Sequence, residues 1–143
     1  TMSWELHLAR DIASLGRLPE AERLMRELAA RQVRLLGPTH RDSLQTRQAV
    51  ADVVLEQGRL AEARRTFEEL APQFRQHLGP RSEGHAQTLV ALAEIEYRSG
   101  REAAALHRWQ EAVAAGITKD GAEFYPAVAR LLATGQLRIA AEP

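Results

Sequence analysis

A 42-residue period governs this chain. Gly-Arg stands at Gly16-Arg17, Gly58-Arg59 and Gly100-Arg101. The match runs on through Gly-Arg-Leu-Pro-Glu-Ala (16–21), Gly-Arg-Leu-Ala-Glu-Ala (58–63) and Gly-Arg-Glu-Ala-Ala-Ala (100–105). A second marker keeps the period: Leu36-Gly37-Pro38 returns as Leu78-Gly79-Pro80, and Gly121 lies one further period on. Two markers in one register point to a repeated supersecondary unit, which buries its apolar face only by stacking on its neighbours.

Amphipathic helical runs separate the markers. Residues 4–15, 43–57 and 87–99 precede each Gly-Arg, and residues 19–36, 61–78 and 102–115 follow it. Each Gly-Arg therefore reads as the tight turn of a helical hairpin, with glycine accepting positive φ after a helix end. Pro19 falls in a first turn, where no intrahelical N–H is lost. Ser3 and Asp42 read as N-caps, and Asp42-x-x-Gln45 as a capping box. Apolar positions recur in register: Leu8-Ala9 and Ile12, Val50-Ala51 and Val54, Leu92-Ala93; then Ala21-Met25-Leu28, Ala63-Phe67-Leu70 and Ala105-Trp109-Ala112. Glu5, Arg47 and Glu96 stand where the pattern asks for an apolar side chain.

Composition agrees with helix, since 25 Ala and 19 Leu dominate the 143 residues and both favour helix. Hydrophobic residues at 45% and charged residues at 27% describe a soluble globular chain. Lys+Arg and Asp+Glu are both 19, and zero net charge argues against an electrostatic nucleic-acid or anionic-membrane binder. All the basic residues except Lys119 are Arg, scattered among acids as on solvated helix faces. The absence of cysteine excludes disulfides, thiolate metal sites and cysteine nucleophiles. No apolar run spans a bilayer and no signal peptide opens the chain, so the expected compartment is the cytoplasm.

The stretches Leu-Gly-Pro-x-His-x-Asp-Ser-Leu (36–44) and Ala-x-Val-x-x-x-Gln-Gly-Arg-Leu-x-Glu-Ala (51–63), with Leu78-Gly79-Pro80, Thr88-Leu89 and Leu92-Ala93, resemble tetratricopeptide repeats of the 42-residue kinesin-light-chain type. Gln48-Ala49 and Val90-Ala91 replace that family's paired asparagines, and Ser82-Glu83-Gly84 replaces its lead-in to the third repeat. The resemblance implies an all-α, right-handed solenoid of about three and a half helix-turn-helix repeats, seven helices in one domain. The repeats would span residues 3–37, 38–79 and 80–121. Residues 122–143 would form a capping half-repeat, with a helix over 122–134 laying Phe124, Val128, Leu131 and Leu132 on the third hairpin near Trp109. Repeats of this type often belong to larger bacterial signalling ATPases and regulators, and a chain that starts within a repeat is expected to be a piece of one.

No phosphate loop, Gly-x-Gly-x-x-Gly, His-Glu-x-x-His or Gly-x-Ser-x-Gly occurs. None of the five histidines pairs at helical spacing, and His77 and His85 only flank the Gly79-Pro80 loop. Glu68-Glu69 and the Glu94/Glu96 pair read as solvated faces, Trp109 as core, and Trp4 as either core or interface. No catalytic residue, metal or cofactor is expected, and the chain is not read as an enzyme. By the resemblance, first helices line a concave groove, which would present Leu6, Arg10 and Ala13; then Gln45, Gln48, Asp52, Leu55 and Glu56; then Gln87, Val90, Glu94, Tyr97 and Arg98. Such a groove holds a peptide or partner protein. A cationic group would sit near Asp52 and Glu94, with an apolar side chain against Tyr97 and the Arg98 fork beside it. Self-association into a homo-oligomer is the alternative. Nucleic acid and membrane are not expected, because Asp52, Glu56 and Glu94 oppose Arg10 and Arg98.

Overall fold

The computed structural model describes residues 3–139, and every regular element among them is helical. In chain order these are α1 (Ser3–Ser14), α2 (Leu18–Leu36), α3 (Arg41–Glu56), α4 (Leu60–Leu78), α5 (Glu83–Arg98), α6 (Glu102–Ala114), α7 (Lys119–Ala122) and α8 (Pro126–Ala133). They divide into two compact units, Thr1–Gln73 and Phe74–Pro143, and the division falls in α4 just past Pro72.

The Gly-Arg dipeptide closes one helix and opens the next. Gly16, Gly58 and Gly100 all have φ near +80°. The Gly58 N–H bonds back to Leu55 O at 2.9 Å, and the Arg59 N–H to Val54 O at 3.2 Å. Gly16-Arg17 and Gly100-Arg101 repeat this pair of bonds. The crossed pattern is that of a Schellman end, which satisfies carbonyls the helix would otherwise leave orphaned. Each Arg carbonyl then accepts the first bond of the following helix, from Ala21, Ala63 and Ala105.

In the first unit α1 packs on α2 and α3, and α2 on α3. Ala21, Met25 and Leu28 form the buried stripe of α2, and Ala63, Phe67 and Leu70 that of α4. In the second unit Ala105, Trp109 and Ala112 play the same part on α6. The volumes compensate: the largest ring, Trp109, is followed by Ala112 where the other repeats carry leucine, which keeps the layer filled without overpacking. Gly84 in α5 lies under Phe74, whose ring would stand 2.3 Å from an added Cβ.

The structure departs from expectation in four places. The eighth helix arises because the segment expected as one helix over 122–134 is two. Pro126 holds Tyr125 extended (φ −105°, ψ 125°), so α7 ends and α8 starts afresh with Pro126 in its first turn. Gly121 ends no hairpin; it lies inside α7, and Gly116 (φ +89°) closes α6 instead, so the third repeat is shorter. Phe124 is 64% exposed, and Tyr125, Ala127 and Val128 supply the buried contacts of the terminal segment while α8 packs on α5. His40, not Asp42, caps α3: its Nδ1 accepts the Asp42 N–H at 3.1 Å, so no capping box forms. Ser82 takes the same place before α5. The side chain of Ser3 lies outside the described residues.

Candidate partner-binding surface

In the first unit the polar stripe of α3 is Gln45, Asp52 and Glu56, which helical spacing puts on one face. Gln45 and Glu56 are exposed and Asp52 is half-buried. Asp52 and Glu56 are like charges one turn apart, an arrangement that costs a helix a few tenths of a kcal/mol, roughly. Partial burial pushes the Glu56 carboxyl above its usual range, and Glu56 has no ion-pair partner among the described residues. Arg10, one period before Asp52, is exposed on α1. Leu6, Gln48 and Leu55, expected on the same surface, are buried.

The other side of α3 ends in a charged cluster that the sequence reading missed. The Glu22 carboxylate on α2 accepts from Gln57 Nε2 at 2.8 Å, Arg59 Nη1 at 2.7 Å and Arg26 Nε at 2.8 Å. Arg26 and Arg59 both continue to Glu62, at 3.2 and 2.9 Å. Burial raises the Glu22 carboxyl, but these hydrogen bonds outweigh burial and hold it at about 2, below the ordinary 4.5. The cluster locks the N-terminal half of α2 to the α3–α4 turn.

In the second unit Glu94 is 0% exposed. Its Oε1 accepts the Ala127 N–H and its Oε2 the Val128 N–H, both at 3.1 Å. Arg98 Nε donates to Oε1 at 2.9 Å. Glu94 thus supplies the cap that Tyr125 cannot, gripping the N-terminus of α8, where a carboxylate meets orphan N–H groups and the positive end of the helix dipole. The acid expected to face a cationic ligand is engaged inside the fold, and Arg98 is drawn down onto it. Val90 is likewise fully buried. Glu96 is buried too, paired with Arg101 Nε at 3.0 Å. Ala104 stands where the earlier repeats place Glu20 and Glu62, the partners of Arg17 and Arg59. Gln87, one period after Gln45, is half-buried and donates to Glu83 at 3.0 Å.

Tyr97 is half-buried at the edge of a cavity of about 270 Å³ between α5, α6, α8 and residues 136–137. The cavity is mostly apolar. One comparison along the repeat would have pointed to it: position 22 is Glu, position 64 Arg and position 106 Leu. His85 Nδ1 donates to Pro80 O at 2.8 Å and serves the loop. Among the described residues no group of three or more His, Asp or Glu side chains could hold a metal ion, and no helix is long and apolar enough to cross a membrane.

The tetratricopeptide repeat family matches residues 1–76 and 50–116 of this chain. No curated protein matches. Among solved structures, nearly identical TPR-like repeats assigned to a Podosopora anserina kinesin light chain superimpose with a TM-score of 0.74 at 20% identity, covering 94% of this chain and 67% of that one. A single-substitution variant of those repeats gives the same values.

Proposed function

This chain belongs to the tetratricopeptide repeat family, and from that premise we propose that it is a non-enzymatic protein-interaction module whose first unit holds a basic segment of a protein partner along α3. Repeats of this family generally mediate protein–protein contact, and the chemistry of the α3 face supports a cationic ligand. The observation that carries the reading is the Asp52–Glu56 pair. Two acids stand one turn apart on a half-exposed face, and Glu56, exposed but with its carboxyl raised by local desolvation, has no ion-pair partner among the described residues. Such a site is relieved when a Lys or Arg arrives. Gln45 extends the face with an amide that can donate to and accept from a peptide backbone, and Gln87 repeats it one period on. Glu94, Val90, Leu6 and Leu55 serve the fold and not the ligand.

The absence of cysteine gives a direct test. Gln45→Cys and, on α4, Glu68→Cys each create a single thiol that can carry a photo-crosslinker. A partner captured from the source cell should crosslink from position 45 and not from position 68. Crosslinking from 68 alone would move the binding face to α4 and end the reading.

A further inference from the structure

The chemistry of the cavity in the second unit follows from an exchange of side chains within the repeat. Two residues after the turn glycine the first two repeats carry Leu18 and Leu60, both half-buried. Six residues after it they carry the charged Glu22 and Arg64. The third repeat reverses the order: Glu102 stands two residues after Gly100, and Leu106 six. The reversal puts one carboxylate on the wall of a mostly apolar cavity of about 270 Å³. Its apolar walls are Ala105 and Leu106 on α6, Val128 and Leu131 on α8, and Leu137 beyond it. Tyr97 and Gln136 add a phenol and an amide. Glu102 alone of the lining side chains is charged, and it has no ion pair or side-chain hydrogen bond among the described residues. Glu94 and Glu96, by contrast, are drawn into the fold.

We propose that this cavity binds a small arylalkylamine, with the ring among the leucines and the ammonium on Glu102. The volume lies just under the roughly 300–1,000 Å³ of pockets that hold drug-sized ligands. It suits one or two fused rings with a short chain and is too small for a large cofactor. A ring is also a rigid apolar anchor with little conformational entropy to lose. The charge follows from Glu102, which a neutral hydrocarbon would leave unengaged and an acid would meet with repulsion. An ammonium carries three donors. With one on Glu102, the Tyr97 hydroxyl and the Gln136 carbonyl oxygen stand on the same lining for the others. The face of the Tyr97 ring attracts a cation as well. The site lies wholly within the second unit and uses no residue of the α3 face, so it holds or fails apart from the binding of a basic partner there.

Titration calorimetry of the whole chain with tryptamine, paired with methyl NMR, tests the proposal. At neutral pH tryptamine should bind with a Kd of roughly 0.1–1 mM, ordinary for a ligand of about a dozen non-hydrogen atoms. Methyl shifts should centre on Leu106, Val128, Leu131 and Leu137. Indole-3-propionate, a similar ring with the opposite charge, should bind at least roughly threefold more weakly. Glu102→Gln should weaken tryptamine by at least roughly the same factor and leave uncharged 3-methylindole unchanged. Helicity should survive, since this side chain is exposed. Leu106→Trp, also at an exposed position, should block both ligands, and Leu137→Trp repeats that test should the first variant misfold. Glu123→Gln, at an exposed carboxylate outside the lining, should change nothing. No tryptamine binding up to about 5 mM, equal affinity for the acid, or undiminished tryptamine affinity in Glu102→Gln would overturn the proposal. So would a Trp-Gly-Gly amide that binds roughly tenfold more tightly than tryptamine, because it would give the cavity to a protein partner.

Discussion

Oε2 of Glu94 accepts the backbone N–H of Val128 at 3.1 Å, and with the Ala127 bond to Oε1 this joins the middle of α5 to the start of α8. A buried carboxylate is costly unless its oxygens are filled; here two amides and Arg98 fill them. Glu94→Gln keeps the shape but turns one oxygen into a donor that faces a donor. Loss of about 3 kcal/mol is expected in urea unfolding. A loss within about 0.5 kcal/mol would mean that α8 is held by apolar packing alone.

The Glu22 cluster predicts an acid-sensitive contribution. Burial opposes ionisation, yet the hydrogen bonds to Gln57, Arg26 and Arg59 hold the folded-state carboxyl at about 2, beneath its ordinary value of 4.5. A folded pKa below the unfolded one stabilises fully above the unfolded value and loses that stabilisation as pH falls through the folded one. The stability gap between the unmodified chain and Glu22→Gln should therefore be constant above pH 4.5 and narrow towards pH 2. Thermal melts across that range read it; a gap that widens on acidification contradicts the cluster.

Thr46 is fully buried and its hydroxyl has no hydrogen-bond partner among the described residues. Thr46→Val exchanges that hydroxyl for a methyl of similar size. It should stabilise the chain by about 1 kcal/mol, seen as a higher melting temperature. A destabilised variant would show that the hydroxyl is satisfied in solution.

Glu56 sets stability against binding. Its carboxyl is raised by partial burial, so at neutral pH its charge weighs against the folded chain. Glu56→Gln should leave the free chain as stable or a few tenths of a kcal/mol more so, roughly, after discounting for solvent at this exposed side chain. The same change should weaken a basic partner. A clear drop in melting temperature without partner would mark Glu56 as structural.

The repeat was legible because it is written in backbone chemistry. The glycines at 16, 58 and 100 are needed for positive φ, and the small and large apolar positions keep step with them. What sequence alone hid were exchanges of role between residues. Glu94 and Glu96 have the spacing of surface acids, but one caps α8 and the other pairs with Arg101, for which the register partner, Ala104, carries no charge. His40 caps α3 through a ring nitrogen, a donor–acceptor choice that no periodicity records. Pro126 is tolerable in a first turn, but that first turn belongs to a new helix. Of the expected surface, Arg10, Gln45, Asp52, Glu56, Gln87, Tyr97 and Arg98 keep some exposure. Leu6, Gln48, Leu55, Val90 and Glu94 do not, because α1, α3 and α5 are each packed on more sides than one.

The acidic face of α3 is put to the test by titration calorimetry of the captured partner against Asp52→Arg and Glu68→Arg, both confirmed helical. Asp52→Arg should weaken binding at least roughly tenfold, about 1.4 kcal/mol, and more so at low salt, while Glu68→Arg leaves it unchanged. Unchanged affinity for Asp52→Arg together with lost affinity for Glu68→Arg would place the partner on α4 and contradict the acidic face of α3 as the binding surface.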